Sequence, residues 1–211
     1  MSGPLAPKDL IAIVADKDMQ YAIRGLLTRH QALGVRPLRA EVRRHPQHDP
    51  ACLLDAHELL RPFLGEYAHA LVMFDRNGCG QESLSRAEIE SLAEKRLHES
   101  GWDDRAACIV LDPELEIWVW SDSPHVDEAL GWKGKQPDLR SWLIQEGFVQ
   151  AEEQKPRCPK AAMRKALREA GVKPSASRFL QLAQYVGLER CIDPAFEKFK
   201  TILRTRFSEG S

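Results

Sequence analysis

The chain has 211 residues, 43% of them apolar and 29% charged, which is enough to bury a sizeable core and far from the composition of a disordered segment. No stretch approaches the roughly 18 to 20 uninterrupted apolar residues of a membrane span, and the start, MSGPLAPKDL, lacks a basic-then-apolar leader pattern, so a cytoplasmic protein without membrane attachment is expected. The net charge of -1 hides an asymmetry: residues 1 to 150 carry 17 Lys/Arg against 24 Asp/Glu, or -7, and residues 151 to 211 carry 13 against 7, or +6.

LIAIVA, residues 10 to 15, is a short continuous apolar run that fits a strand buried on both faces, and Asp16, Lys17 and Asp18 end it. Met19, Ala22, Ile23, Leu26 and Leu27 then recur at helical spacing up to Gly34, with Asp18 placed to cap the helix. RPLRAEVRR, residues 36 to 44, alternates as a second strand, and HPQHDP breaks it. ACLLDAHELLRPFL predicts a helix ending near Pro62, and HALVMF, residues 69 to 74, a third strand. Ser85 with Glu88 has capping-box form ahead of a helix striped by Ile89, Leu92, Ala93 and Leu97, and AACIVL, residues 106 to 111, is a fourth strand.

Strands alternating with helices imply an α/β fold: a mostly parallel sheet flanked by helices, with ligands gathering at the carboxyl ends of the strands. From about residue 123 the pattern turns helical, with apolar faces such as Phe179, Leu182, Ala183 and Val186. The expected organisation is an α/β domain over residues 1 to 122 and a helical extension over 123 to 211 packed on it.

Candidate chemistry collects at the strand ends. In LVMFDRNGCG an apolar run stops on Asp75, and Asn77 follows one residue on, in a turn where both oxygens can point the same way and hold a hard divalent cation. A turn role, with each side chain bonding its own backbone, accounts equally for the pair. Glu116 lies among Leu115, Ile117, Trp118 and Trp120, so its carboxylate must be paired, for instance with Arg105, or coordinated. Asp16 has no evident partner. His45, His48 and Asp49 crowd five residues, but without the spacing or fourth ligand of a closed zinc site they read as a solvated loop. The five cysteines are odd in number and in no paired spacing, which points to neither a disulfide framework nor structural zinc. Between Lys155 and Arg178 eight cations face one acid, Glu169, and Lys160, Arg164 and Arg168 share a helical face. Such a face binds a nucleic-acid backbone, stays solvated, or docks on the acidic half.

Taken together, IAIVADKDMQYAIRGLL, ALVMFDRNGCG, and DPELEIWVWSD followed by a helical tail with CIDPAF resemble the Toprim superfamily. The resemblance is nearest to small Toprim-like proteins of bacterial anti-phage defence islands, among them a component of the methylation-associated defence system, and extends more distantly to the overcoming-lysogenisation-defect nucleases. In that family a first strand ends in Glu, a later strand ends in an Asp-x-Asp-like pair, and a further acid precedes a Trp. Here Asp75 and Asn77 occupy the pair and Glu116 is the later acid. The resemblance implies Mg²⁺ or Mn²⁺ held by Asp75, Asn77 and Glu116, and phosphodiester cleavage with Asp75 and Asp16 as catalytic candidates. It also implies a nucleic acid gripped by Arg157, Lys160, Arg164 and Arg168, and other defence proteins as partners. One position departs from the pattern: Val14-Ala15 stands where the family reads Val-Glu, and a methyl can neither ligate a metal nor move a proton. A natural non-catalytic homologue, an inactivating substitution, and Asp16 acting from one position along remain as explanations. A nucleic-acid or nucleotide binding subunit without chemistry is the alternative function.

Overall fold

The structure, a computed structural model, describes residues 7–189 and 191–208; the first six residues, which belong to the stretch read above for a leader, lie outside them. The short apolar runs form a sheet of β1 (Lys8–Val14), β2 (Ala40–Arg44), β3 (Tyr67–Asp75) and β4 (Ala106–Leu111), all parallel, in the order β2-β1-β3-β4. The fold class is the expected α/β one, and a four-stranded parallel sheet between helices is consistent with a Toprim-like architecture.

Helices α1 (Lys17–Leu27) and α2 (His30–Leu33) connect β1 to β2, α3 (His48–Leu60) connects β2 to β3, and α4 (Arg86–Leu97) connects β3 to β4. The first crossover runs outward from β1 and the next two run the other way, so right-handed connections put α1 on one face and α3 with α4 on the other. The sense of winding therefore reverses between β1 and β3. In open α/β sheets the crevice beyond the carboxyl ends at such a reversal is where ligands bind. The strand tips there are Val14, followed by Ala15 and Asp16, and Asp75.

Beyond β4 come a 3₁₀ turn (Leu115–Trp118) and helices α5 (Pro124–Leu130), α6 (Leu139–Gln145), α7 (Pro159–Glu169), α8 (Ala176–Tyr185) and α9 (Pro194–Phe207). They supply much of the wall that β1 and β3 need. Helix α8 packs on α1 so closely that a Cβ at Gly25 would lie 2.8 Å from Ala183 Cβ and 2.9 Å from the Leu180 carbonyl oxygen. Helix α9 lies on the α1 side, with Phe207 edge-on to His69 of β3 at 5.2 Å and the Arg204 guanidinium donating to the Leu33 carbonyl at 2.7 Å.

Helix side chains bond outward backbone groups on both edge strands. On β4 the outward N–H groups of Cys108 and Val110 donate to Glu94 and Glu90 of α4, each at 3.0 Å. On β2 the Val42 carbonyl accepts from Gln20 and Arg24 of α1 at 2.8 and 3.1 Å. Glu90 is 4% exposed and also meets Arg86 at 2.6 Å and Lys198 at 3.1 Å, which offsets the cost of burying its charge.

Two local readings are corrected. Helix α1 begins at Lys17, so Asp16 rather than Asp18 is its N-cap: with extended backbone, it accepts the Met19 N–H at 2.8 Å. HPQHD is a solvated loop only in part: Pro46 and Gln47 are exposed in a turn, but α3 starts at His48 and His45 is 3% exposed, with its Nε2 2.9 Å from Asp55 Oδ1. Asp49 is drawn inward by the unsatisfied N–H at the tip of β3, which turns this stretch into a helix start. No helix among the described residues is long and apolar enough to cross a membrane.

Candidate metal centre

Asp75 is the last residue of β3 and 3% exposed. Backbone bonds knit its surroundings to the loop after β4: Arg76 N–H donates to the Leu111 carbonyl at 2.8 Å, and Asn77 N–H to the Pro113 carbonyl at 3.0 Å. The Leu115 N–H returns to Asp75 Oδ1 at 2.9 Å, which orients the carboxylate and brings the following 3₁₀ turn over it. Trp118 anchors that turn from behind, its indole N–H on Asp193 Oδ1 at 2.9 Å and its ring edge-on to Phe196 at 5.1 Å.

This clamp brings Asp75, Glu114 and Glu116 together, with one oxygen from each lying within 4.8 Å of the others. Lys160, in the first turn of α7, fills the space above them. Its Nζ is 3.5 Å from Asp75 Oδ2, 3.9 Å from Glu116 Oε2 and 4.0 Å from Glu114 Oε2. The Lys160 N–H donates to Glu114 Oε1 at 2.9 Å, and the Trp120 indole N–H holds the Pro159 carbonyl at 3.1 Å, so the start of α7 is pinned to the site.

The electrostatics leave the group short of positive charge. At an effective dielectric of about 20, each lysine–carboxylate attraction and each carboxylate–carboxylate repulsion at these separations is worth roughly 4 kcal/mol, so three of each nearly cancel and the cost of burial remains. Burial, reinforced by the like charge of Asp49, holds the Asp75 carboxyl well above the usual carboxylate range, against the pull of Lys160. Burial likewise pushes Glu116 up to about 7, again opposed by Lys160. For Lys160 burial works against the charge, yet Glu116, Asp75, Glu114 and Asp16 together raise it, so it stays protonated. Glu116 is 6% exposed and its Oε2 has no hydrogen-bond partner. An orphaned buried acceptor of this kind is an anomaly that a bound cation or a proton would relieve. An octahedral Mg²⁺ with oxygens at about 2.1 Å spaces its ligands roughly 3 to 4.2 Å apart, within a small side-chain rotation of the separations here. The three carboxylates thus fit a hard divalent ion.

The site residues read from the sequence divide accordingly. Asp75 and Glu116 converge, and Glu114 completes the set. Asn77 is exposed in the turn, and its backbone N–H rather than its side chain makes the contact to Pro113. Asp16 borders the group, its charge acting on Asp75 and Glu116, while one of its oxygens caps α1. Ala15 is fully buried, its N–H bonded to the Met73 carbonyl at 3.1 Å. Arg105 is spent on the carbonyls of Leu64, Tyr67 and Gly101 and does not reach Glu116. Burial raises the Cys79 thiol, which leaves it an inert packing residue.

The cationic run is mostly occupied. Lys155 donates to the Ile117 carbonyl at 2.8 Å, Arg157 pairs with Glu153 at 2.6 Å, Lys165 pairs with Glu146, and Arg178 holds the Ala129 carbonyl at 2.7 Å. Lys160 is turned into the acids, so the docked reading holds for that end of the stripe. Arg164 and Arg168 remain exposed and make no hydrogen bond or ion pair with the described residues.

Nothing local in the sequence marks Glu114 or Asp49 as a neighbour of Asp75; only the folding together of chain-distant segments brings them there. A cavity of about 760 Å³ lies on the other side of the 3₁₀ turn, walled by Leu26, Trp118, Phe179, Leu182 and Phe196, and none of the three converging carboxylates lines it. Compared with known proteins, the chain matches no family model, no curated protein and no solved structure.

Proposed function

We propose that this chain is a divalent-metal-dependent, nuclease-type phosphodiester-handling protein of Toprim-like design, with Mg²⁺ or Mn²⁺ held by Asp75, Glu114 and Glu116. The observation that carries the proposal is the convergence of these three carboxylates, one oxygen of each within 4.8 Å of the others and Glu116 Oε2 buried without a partner, at the point where the sheet reverses its winding. When bound, the ion would polarise a phosphate oxygen and lower the pKa of an attacking water. Asp75 and Glu116 orient it through fixed backbone, and the exposed Arg164 and Arg168 meet the phosphate backbone. Ala15 leaves the proton-transfer position beside them empty, so cleavage is impaired in this sequence. A place in an anti-phage defence system follows from the resemblance alone and is part of the same proposal.

The experiment is Mn²⁺ binding followed by electron paramagnetic resonance, together with cleavage of single- and double-stranded DNA and RNA by Ala15→Glu. Micromolar Mn²⁺ binding lost in Asp75→Ala, and metal-dependent cleavage gained in Ala15→Glu, support the reading. Absence of Mn²⁺ binding at millimolar concentration overturns it.

One observation favours the second reading, a nucleic-acid or nucleotide binding subunit without chemistry. The Lys160 ammonium already sits among the acids, as it would in a site that has exchanged its metal for an internal cation. Oligonucleotide binding that is indifferent to metal, with no cleavage from Ala15→Glu, selects this reading.

A further inference from the structure

We infer that Lys160 is an exchangeable internal occupant of the cation site: a divalent ion entering among Asp75, Glu114 and Glu116 drives its ammonium out onto the face that carries Arg164 and Arg168. This rests on the proposed metal site and adds its regulation.

Three observations carry it. First, the ammonium is held loosely. Its distances of 3.5, 3.9 and 4.0 Å to the three carboxylates all exceed the roughly 2.7 to 2.9 Å of a charge-assisted hydrogen bond. It balances charge at the centre of the group without locking onto any one oxygen, and Glu116 Oε2 stays unsatisfied beneath it. Second, the two cations exclude each other. An ion bound to these oxygens at about 2.1 Å would lie no more than about 6 Å from an ammonium that keeps its present contacts, with little water between them to screen the repulsion. Third, there is a way out. The Lys160 side chain is 31% exposed, whereas those of Asp75 and Glu116 are 5% and 7% exposed, so the lysine is the partner free to move. One and two turns along α7 lie the exposed cations Arg164 and Arg168, which make no hydrogen bond or ion pair with the described residues, although the charge of Arg164 acts on Asp18. A released Lys160 extends that pair to three along one face, a grip for a phosphodiester backbone that exists only when the metal is in place.

The test compares the unaltered chain with Lys160→Met, which keeps the length and apolar stem of the side chain. Expected is Mn²⁺ binding at least tenfold tighter in Lys160→Met. In the unaltered protein, acetylation of Lys160 by acetic anhydride, read by mass spectrometry, should be several-fold faster with saturating Mn²⁺ than with EDTA. This second measurement needs no variant and stands even if Lys160→Met folds poorly. For a 20-nucleotide single-stranded DNA, the salt dependence of binding in Mn²⁺ should be shallower in Lys160→Met by the equivalent of one phosphate contact, about 0.7 in the logarithmic slope, with no difference in EDTA. Equal Mn²⁺ affinities, a Lys160 acetylation rate indifferent to Mn²⁺, or equal slopes in Mn²⁺ would overturn the exchange while leaving the metal site standing. Absence of Mn²⁺ binding in both proteins removes the metal site itself, and the exchange with it.

Discussion

The main-chain N–H of Asp75 donates to the Asp49 carboxylate at 2.9 Å, so the tip of β3 and the first turn of α3 are joined through one part-buried bond between two acids. Asp49 is itself raised by burial, partly countered by that bond, and its like charge acts on Asp75. The bond and the repulsion oppose each other, and substitution separates them. Asp49→Ala leaves the Asp75 N–H without a partner and should destabilise by about 1 to 3 kcal/mol. Asp49→Asn can keep the acceptor and removes the repulsion, so it should be neutral or stabilising at pH 8. Urea denaturation of both variants checks this, and equal losses would show that the bond contributes nothing.

Glu116 sets a pH dependence whose sign is fixed by its environment. Its carboxyl is raised from 4.5 to about 7, so between those values the folded state holds a proton that the unfolded state has released. Stability from this group is therefore fully present below about pH 4.5 and is lost as pH rises through about 7, by up to about 3 kcal/mol. Asp75 is raised as well and acts in the same direction. Glu116→Gln should flatten the decline and be more stable than the unaltered chain at pH 8, as measured by denaturant midpoints from pH 4.5 to 8. A saturating divalent ion should reverse the decline, because it binds the charged form.

Gly25 should not tolerate a side chain, although it sits inside a helix where alanine is the better helix former by about 1 kcal/mol. A methyl there would meet Ala183 Cβ at 2.8 Å and the Leu180 carbonyl oxygen at 2.9 Å, and backbone cannot give way. Gly25→Ala is expected to lose about 1 to 3 kcal/mol net through displacement of α8, seen as a lower thermal midpoint. A raised midpoint would mean that α8 is not docked on α1 as described.

Glu90 carries several obligations at once: the Val110 N–H at 3.0 Å, Arg86 at 2.6 Å and Lys198 at 3.1 Å. Glu90→Ala strands a buried donor and two cations and should cost about 3 to 5 kcal/mol. Glu90→Gln, which retains an acceptor for Val110, should cost visibly less. Chemical denaturation of the pair provides the comparison.

What could be read from the amino-acid order follows from the range of the forces involved. Three strands were legible because runs such as LIAIVA and AACIVL are short and continuously apolar, as strands buried on both faces are; the alternating RPLRAEVRR gave the second only over Ala40–Arg44, and the Ser85/Glu88 cap was legible because it closes within four residues. Asp75 was legible as a strand tip and Glu116 as an acid in need of a partner. The partner itself was not: Lys160 reaches Asp75 across 85 positions of chain, and nothing local to either residue encodes that meeting. The capping role of Asp16 depended on a helix boundary set two residues earlier than the apolar spacing implied. HPQHD was read correctly only over its turn, because its polar letters do not show that His48 starts α3 or that Asp49 accepts a donor from the neighbouring strand.

The glutamates on one flank of the sheet, and the glutamine and arginine on the other, have a consequence for how this protein can associate. A chain that joins a partner by laying down an additional extended segment needs a border of free amides and carbonyls, and here the amides of Cys108 and Val110 and the carbonyl of Val42 are already spoken for from within. Addition of a strand along β4 would have to displace the Glu90 and Glu94 carboxylates, whereas along β2 only the Val42 carbonyl is taken among the described residues.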